Sequence, residues 1–245
     1  MAGHSKWANI KRKKEKTDAA RGRIFTKLSR EILTAVRQAG PDPQTNLRLR
    51  LAIEQAKAAN MPNDNINRLI KRASGGEEGA NYEEIVYEGY GTAGVAVLVH
   101  AMTDNRNRTA ADIRHLFSKY GGSLGQTGCV AWLFQQKGVF SIERSEGLDG
   151  DQLMMIALES GAEDFREEEE GFEIITKPED FESVQQALAE NEIPVADSEI
   201  TMVPENTVRL SGEEAIKNLK LLEALEEHDD VQGVYANLDT DEVLP

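Results

Sequence analysis

Thiol chemistry is nearly closed to this chain, because its 245 residues include one cysteine, Cys129. A lone cysteine excludes an internal disulfide and any zinc site built on thiolates. Its setting, Cys-Val-Ala-Trp, is apolar, so it reads as a core thiol rather than a nucleophile, in keeping with a reducing, cytoplasmic compartment. No run approaches the roughly 18 apolar residues of a membrane span, and no apolar signal core opens the chain, so a protein neither membrane-bound nor secreted is expected. The histidines, His4, His100, His115 and His228, form no His-x-x-x-His pair, and no candidate nucleophile has a recognisable base beside it. No metal, cofactor, small-molecule ligand or catalytic residue is therefore expected. Positive charge is also scarce over most of the length: beyond Gly76, 11 Lys and Arg stand against 37 Asp and Glu.

Up to Gly76 the balance reverses, with 17 Lys and Arg against 6 Asp and Glu. The net charge of −15 thus hides a strong dipole: a basic N-terminal part suited to polyanions and an acidic remainder that repels them. The basic part opens with an arm carrying Lys6, Trp7, Lys11, Arg12, Lys13, Lys14 and Lys16. Glu15 and Asp18 interrupt its charge, which continues into a helix, so it reads as integral rather than as a transit peptide. In that helix Ile24, Leu28, Ile32, Ala35 and Val36 share one arc, and Arg23, Lys27, Arg30 and Arg37 lie opposite, with Arg21 just before them. Such a row of cations either lies along phosphate or is a solvated face.

Gly40-Pro41-Asp42-Pro43 is a turn, after which Thr45 or Asn46 caps a second helix with Leu49, Ala52, Ile53 and Ala56 inward. Met61-Pro62 breaks the chain, and Asn63 or Asp64 caps a third helix with Ile66, Leu69, Ile70 and Ala73 inward and Arg68, Lys71 and Arg72 outward. Beyond Gly79 a strand, helix, strand unit recurs four times. Its strands are Gly94 to Met102 with Cys129 to Phe134, Val139 to Glu143 with Glu163 to Arg166, Phe172 to Thr176 with Glu199 to Val203, and Thr207 to Leu210 with Val234 to Leu238. An extra strand, Tyr82 to Tyr90, precedes them. One unit cannot cover both its sheet and its helix, so units pair. The second and third make one domain of the split strand-helix-strand type, and the first and fourth make the other.

The expected architecture is thus multi-domain α+β: a flexible basic arm at 1–20, a three-helix domain at 21–76, a discontinuous α+β domain at 80–135 plus 205–245, and an inserted ferredoxin-like domain at 136–204. Ala2-Gly3-His4-Ser5-Lys6-Trp7-Ala8-Asn9-Ile10-Lys11, Arg21 to Leu28, Met61 to Ile66 and Thr103-Asp104-Asn105-Arg106-Asn107-Arg108-Thr109 together resemble the YebC/PmpR family. That resemblance implies a helical domain followed by two intertwined α+β domains. It also implies a cytoplasmic transcriptional regulator that binds DNA, although some members act in translation on the ribosome. Thr92-Ala93 stands where a Gly-Pro-Gly-Gly-like turn is expected in the family.

The candidate nucleic-acid contacts are the arm residues, with Trp7 either stacking on a base or folding back, together with Arg21, Arg23, Lys27, Arg30, Arg37, Arg68, Lys71 and Arg72. Asn105, Arg106, Asn107 and Arg108 form a second candidate contact. The alternative for that loop is a capping box between Thr109 and Asp112, with Asp104 paired to Arg106 or Arg108. The glycines at 89–91 and 121–125 read as turns, since no P-loop ending follows them. Glu167 to Glu170, Asp229-Asp230 and Asp239 to Glu242 read as solvated loops, lacking calcium-loop spacing. The leading expectation is a non-enzymatic DNA-binding transcriptional regulator; the alternative is a ribosome-associated translation factor on ribosomal or transfer RNA. In both, the acidic domains either insulate the chain from non-specific coating or meet basic ribosomal or transcription proteins.

Overall fold

The computed structural model describes residues 18–75, 82–145, 147–168 and 170–244. These fall into two compact units, 132–207 and the remainder on either side of it in sequence. The larger unit holds both the three helices and the discontinuous sheet.

That larger unit begins with α1 (Asp18–Ala39), α2 (Leu47–Ala58) and α3 (Asn63–Ser74). Ile32, Ala35 and Val36 of α1 pack with Leu49, Ala52 and Ala56 of α2, Met61, and Ile66 of α3. Phe25 and Leu28 extend this stripe, so Phe25 takes the inward place that periodicity assigned to Ile24. Asn46 caps α2, accepting from the Leu49 N–H at 3.0 Å while its amide donates to Ala35 and Gly40 carbonyls. Contrary to expectation, neither Asn63 nor Asp64 caps α3. Pro62 holds that place without a side-chain bond, and its fixed φ of −60° starts the helix instead.

The sheet that follows has the order β3-β1-β2-β9, from β1 (Glu83–Tyr90), β2 (Ala96–Thr103), β3 (Ser123–Leu124) and β9 (Val231–Ala236), all paired antiparallel. Val97 and Val99 face a core with Ile113 and Phe117 of α4 (Arg106–Lys119) and Leu219, Leu222 and Leu225 of α7 (Gly212–Glu226). A short parallel pair, β8 (Val208–Arg209) with β10 (Leu238–Asp239), ties the chain's return to its end. Phe117 lies so close over β1 that a Cβ at Gly89 would come within 2.7 Å of its ring. At the β1–β2 turn, Ala93 takes a left-handed φ of 59°, a conformation that favours glycine.

Cys129 to Phe134 is not a strand. The Glu88 carboxylate, on β1 and only 3% exposed, accepts from the backbone N–H groups of Gly128, Val130 and Ala131 at 2.6, 2.8 and 2.7 Å. Those donors, turned onto one carboxylate, cannot enter a ladder, and Ala131–Leu133 closes as a single 3-10 turn.

The smaller unit runs β4 (Phe134–Glu143), α5 (Gly150–Ser160), β5 (Ala162–Glu167), β6 (Gly171–Thr176), α6 (Phe181–Glu190) and β7 (Asp197–Pro204). Its strand order β5-β6-β4-β7, antiparallel throughout, is the split strand-helix-strand arrangement. Phe140 stacks on Phe181 at 4.5 Å, and Ile142, Leu153, Ile174, Val184 and Leu188 are buried. Gly161 ends α5 at a φ of 112°, the left-handed cap an L side chain resists.

Replacing Glu88 by Ala leaves three inward N–H groups without an acceptor. The expected cost is roughly 3 kcal/mol in urea unfolding, with Glu88→Gln, which keeps one acceptor oxygen, costing less.

Candidate nucleic-acid interface

Residues Lys6, Trp7, Lys11, Arg12, Lys13, Lys14 and Lys16 lie outside the described residues, and Arg21 sits in the first turn of α1. The next three cations on α1 meet groups at residues 226–230. Arg23 pairs with Glu227 at 3.0 Å, and Lys27 donates to the Glu226 carbonyl. Arg30 donates to Asp230 Oδ1 at 3.0 Å and to the Asp229 carbonyl at 2.6 Å, and its guanidinium lies 5.0 Å from the Tyr82 ring centre. Its side chain is 14% exposed. The face of α1 opposite its apolar stripe is therefore a second packing face at Arg30. Arg37, in the last turn, is exposed.

Asp230 is the hub of this contact. Its side chain is 4% exposed, and besides Arg30 it accepts from Thr109 at 2.7 Å, Arg108 at 3.1 Å and Thr103 at 3.2 Å. Burial pushes its carboxyl up. The hydrogen bonds from Thr109 and Arg108, the Arg30 charge and the Thr103 hydroxyl outweigh that and leave it below the usual carboxylate range.

The Asn105 to Arg108 loop is drawn into the same cluster. Asn105 caps α4, its side chain accepting from the Arg108 N–H at 3.2 Å, and its own N–H donates to Thr103 Oγ1. Thr109 is not a cap: it lies inside α4, buried, with its hydroxyl on Asp230 and Thr103. Arg108 also pairs with Asp104 at 2.9 Å, Arg106 reaches Glu83 at 3.6 Å, and Asn107 is exposed.

Between α1 and this loop lies a cleft of about 680 Å³. Its walls carry Arg23, Arg30 and Arg108 but five carboxylates, Asp104, Asp112, Glu227, Asp229 and Asp230, with His228 among them. Carboxylates outnumber guanidiniums, so a phosphate chain finds no net attraction there. Two acidic groups read as solvated loops are in fact structural. One is Asp230; the other includes Asp239, paired with Arg209 at 2.7 Å, and Glu242, which accepts from the Gly212 N–H at 2.9 Å. The only hint in sequence was the position of Asp230 just before the apolar start of β9.

The third helix differs. Arg68, Lys71 and Arg72 are all exposed on its outer side, beside exposed Asn67, and among the described residues none of the three cations has an ion-pair partner. Lys57 at the end of α2 is likewise exposed and unpaired among them. Elsewhere on α2, Arg48 grips Glu31 through two bonds of 2.5 and 3.1 Å and reaches Glu84 at 2.7 Å.

Two family models match the sequence, one described as the TACO1/YebC protein N-terminal domain over residues 5–76 and the other as the TACO1/YebC second and third domain over residues 82–238. A probable transcriptional regulatory protein of Natranaerobius thermophilus is 55% identical over 246 residues, spanning 100% of this chain and 98% of its own. Another so named, from Desulforamulus reducens, is 56% identical over 238 residues, spanning 97% and 98%. A solved structure, that of a conserved hypothetical protein from Aquifex aeolicus, matches with a TM-score of 0.83 at 48% identity over 94% of each chain.

Removing the hub carboxylate leaves Arg30 buried without its counter-charge. Asp230→Ala should cost about 3–5 kcal/mol in urea unfolding, and the paired change Arg30→Met with Asp230→Leu should recover much of that. Because the folded carboxyl is depressed, its contribution is complete above the unfolded value of about 3.9 and lost as pH falls through the folded one. Melting temperature should therefore hold to about pH 5 and drop steeply below pH 4, less steeply in Asp230→Ala.

Proposed function

The chain belongs to the TACO1/YebC family, and we propose on that premise that it regulates gene expression by binding nucleic acid rather than by catalysis, and that it works in the cytoplasm. Among the described residues no helix is long and apolar enough to cross a membrane. The polyanion is gripped by the basic segment before α1 together with the outer face of α3.

One observation carries this reading. The cations of α1 at Arg23 and Arg30 pair with the chain's own carboxylates and Lys27 donates to a backbone carbonyl, whereas Arg68, Lys71 and Arg72 stand in line with no counter-charge among the described residues. Like charges held along one short helix repel until an anion arrives. Duplex DNA is the polymer favoured here. Residues 59–62 join α2 to α3, with Asn60 left-handed at a φ of 62°, and a connection of this length is typical of helix-turn-helix pairs. Both helices pack on α1, which leaves the outer side of α3 open. The relatives' naming as probable transcriptional regulatory proteins agrees with this choice.

The test is a binding titration of the full chain against duplex DNA, and against structured RNA of equal length, over a range of salt. With six to ten phosphates neutralised, the log-log slope for duplex should be about −5 to −9. Changing Arg68, Lys71 and Arg72 together to Glu should weaken binding at least about tenfold and flatten the slope by about 3. Deleting residues 1–17 should abolish affinity while leaving the thermal transition nearly unchanged. Full affinity in the triple variant would overturn the role of α3. Preference for RNA at equal salt would transfer the same cations to ribosomal or transfer RNA.

A further inference from the structure

Helix α5 is more apolar than its place in the fold requires. Leu153-Met154-Met155-Ile156-Ala157-Leu158 is an unbroken apolar run, and at 100° per residue it covers the whole circumference of the helix. The core beneath uses one side of it, burying Leu153 and Ala157. On the outer side Met155 is 59% exposed and Leu158 49%. Single exposed apolar residues are ordinary. Two at a spacing of three residues are neighbours on the helix surface, so together they form a patch.

The surrounding charge says what covers it. Residues 132–207 contain 20 Asp and Glu against four Lys and Arg. Three of those four are already paired internally: Lys137 with Glu163, Arg144 with Glu167, and Arg166 with Asp164 and Glu173. Around the patch itself, Asp151 lies one helical turn before Met155 and Glu159 one turn after it. Both are exposed, and among the described residues neither makes an ion pair. The result is an apolar pair framed by carboxylates.

We infer that the outer face of α5 docks a cationic protein segment. Its apolar side chains seat on Met155 and Leu158 while its Lys or Arg side chains meet Asp151 and Glu159. A second copy of this chain is a poor occupant, since it would set the same acidic surface against itself. Nucleic acid and anionic membrane are repelled by the same charges. The flexible thioether of Met155 adapts its shape to an incoming side chain. This surface lies in the other compact unit from α3 and does not depend on the nucleic-acid reading.

The experiment measures fluorescence anisotropy of a labelled synthetic amphipathic peptide, leucines on one face and lysines on the other, titrated with the full chain at physiological salt. Two control peptides carry Glu for every Lys and Ser for every Leu. The Leu/Lys peptide should bind and both controls should bind at least about tenfold more weakly. Met155→Ser with Leu158→Ser should reduce peptide affinity by a similar factor, and Asp151→Asn with Glu159→Gln by several-fold, with duplex DNA affinity and thermal transition unchanged. The inference is overturned if the Ser variant binds the peptide undiminished, or if the Lys/Ser peptide binds as well as Leu/Lys, which would reduce the surface to charge alone. Concentration-dependent dimerisation abolished by the Ser variant would also overturn it, assigning the face to a second copy.

Discussion

Among the described residues, the most densely bonded tie between the first helix and the discontinuous sheet is a single buried carboxylate. Asp230 precedes β9, yet it is bonded by Arg30 of α1, Thr103 of β2, and Arg108 and Thr109 of α4. An anion so desolvated is tolerated only with this density of donors and an opposite charge. Each donor is in turn fixed by its element, so this one group links α1 to β2 and α4, beside the Arg23–Glu227 pair and the Arg30 bond to the Asp229 carbonyl. Glu88 plays the same part on a smaller scale, folding residues 128–131 back over β1 by accepting three backbone N–H bonds.

This economy shapes the functional reading. In the function proposed above, a helix whose cations are engaged internally serves as scaffold and one whose cations are not is offered to a partner. Arg30 of α1, buried on Asp230, fits the first description, and Arg68, Lys71 and Arg72 of α3 fit the second. The proposed interface is thus centred on α3 within the basic domain. The acidic side is sorted in the same way. Asp230 and Asp239 belong to the fold, whereas Asp151 and Glu159 stand outside it beside an apolar pair that nothing in the described chain covers.

Much of the architecture was legible because it is periodic. The inward stripes of α2 and α3 and the recurring units follow from spacings of about 3.6 and 2 residues, and the pairing of those units follows from their adjacency in the chain and from the need of each to cover its sheet. Where periodicity failed, a competing local bond was responsible. Cys129 to Phe134 carries a strand's composition, but its backbone donors go to Glu88. Thr109 and Asp112 have the spacing of a capping box, but Asn105 takes the cap one turn earlier and frees the Thr109 hydroxyl for Asp230.

By itself the amino-acid sequence determined the division of charge at residue 76, the α+β class and the lone thiol, because these depend on composition and on short-range spacing. Only the tertiary structure decided which charges are spoken for. Arg30 and Asp230 lie 200 residues apart, and charge, unlike hydrophobicity along a helix, carries no period that names its partner. An ionised side chain in sequence is equally a surface contact or an internal tie until folding brings its counter-charge within about 3 Å or leaves it in water.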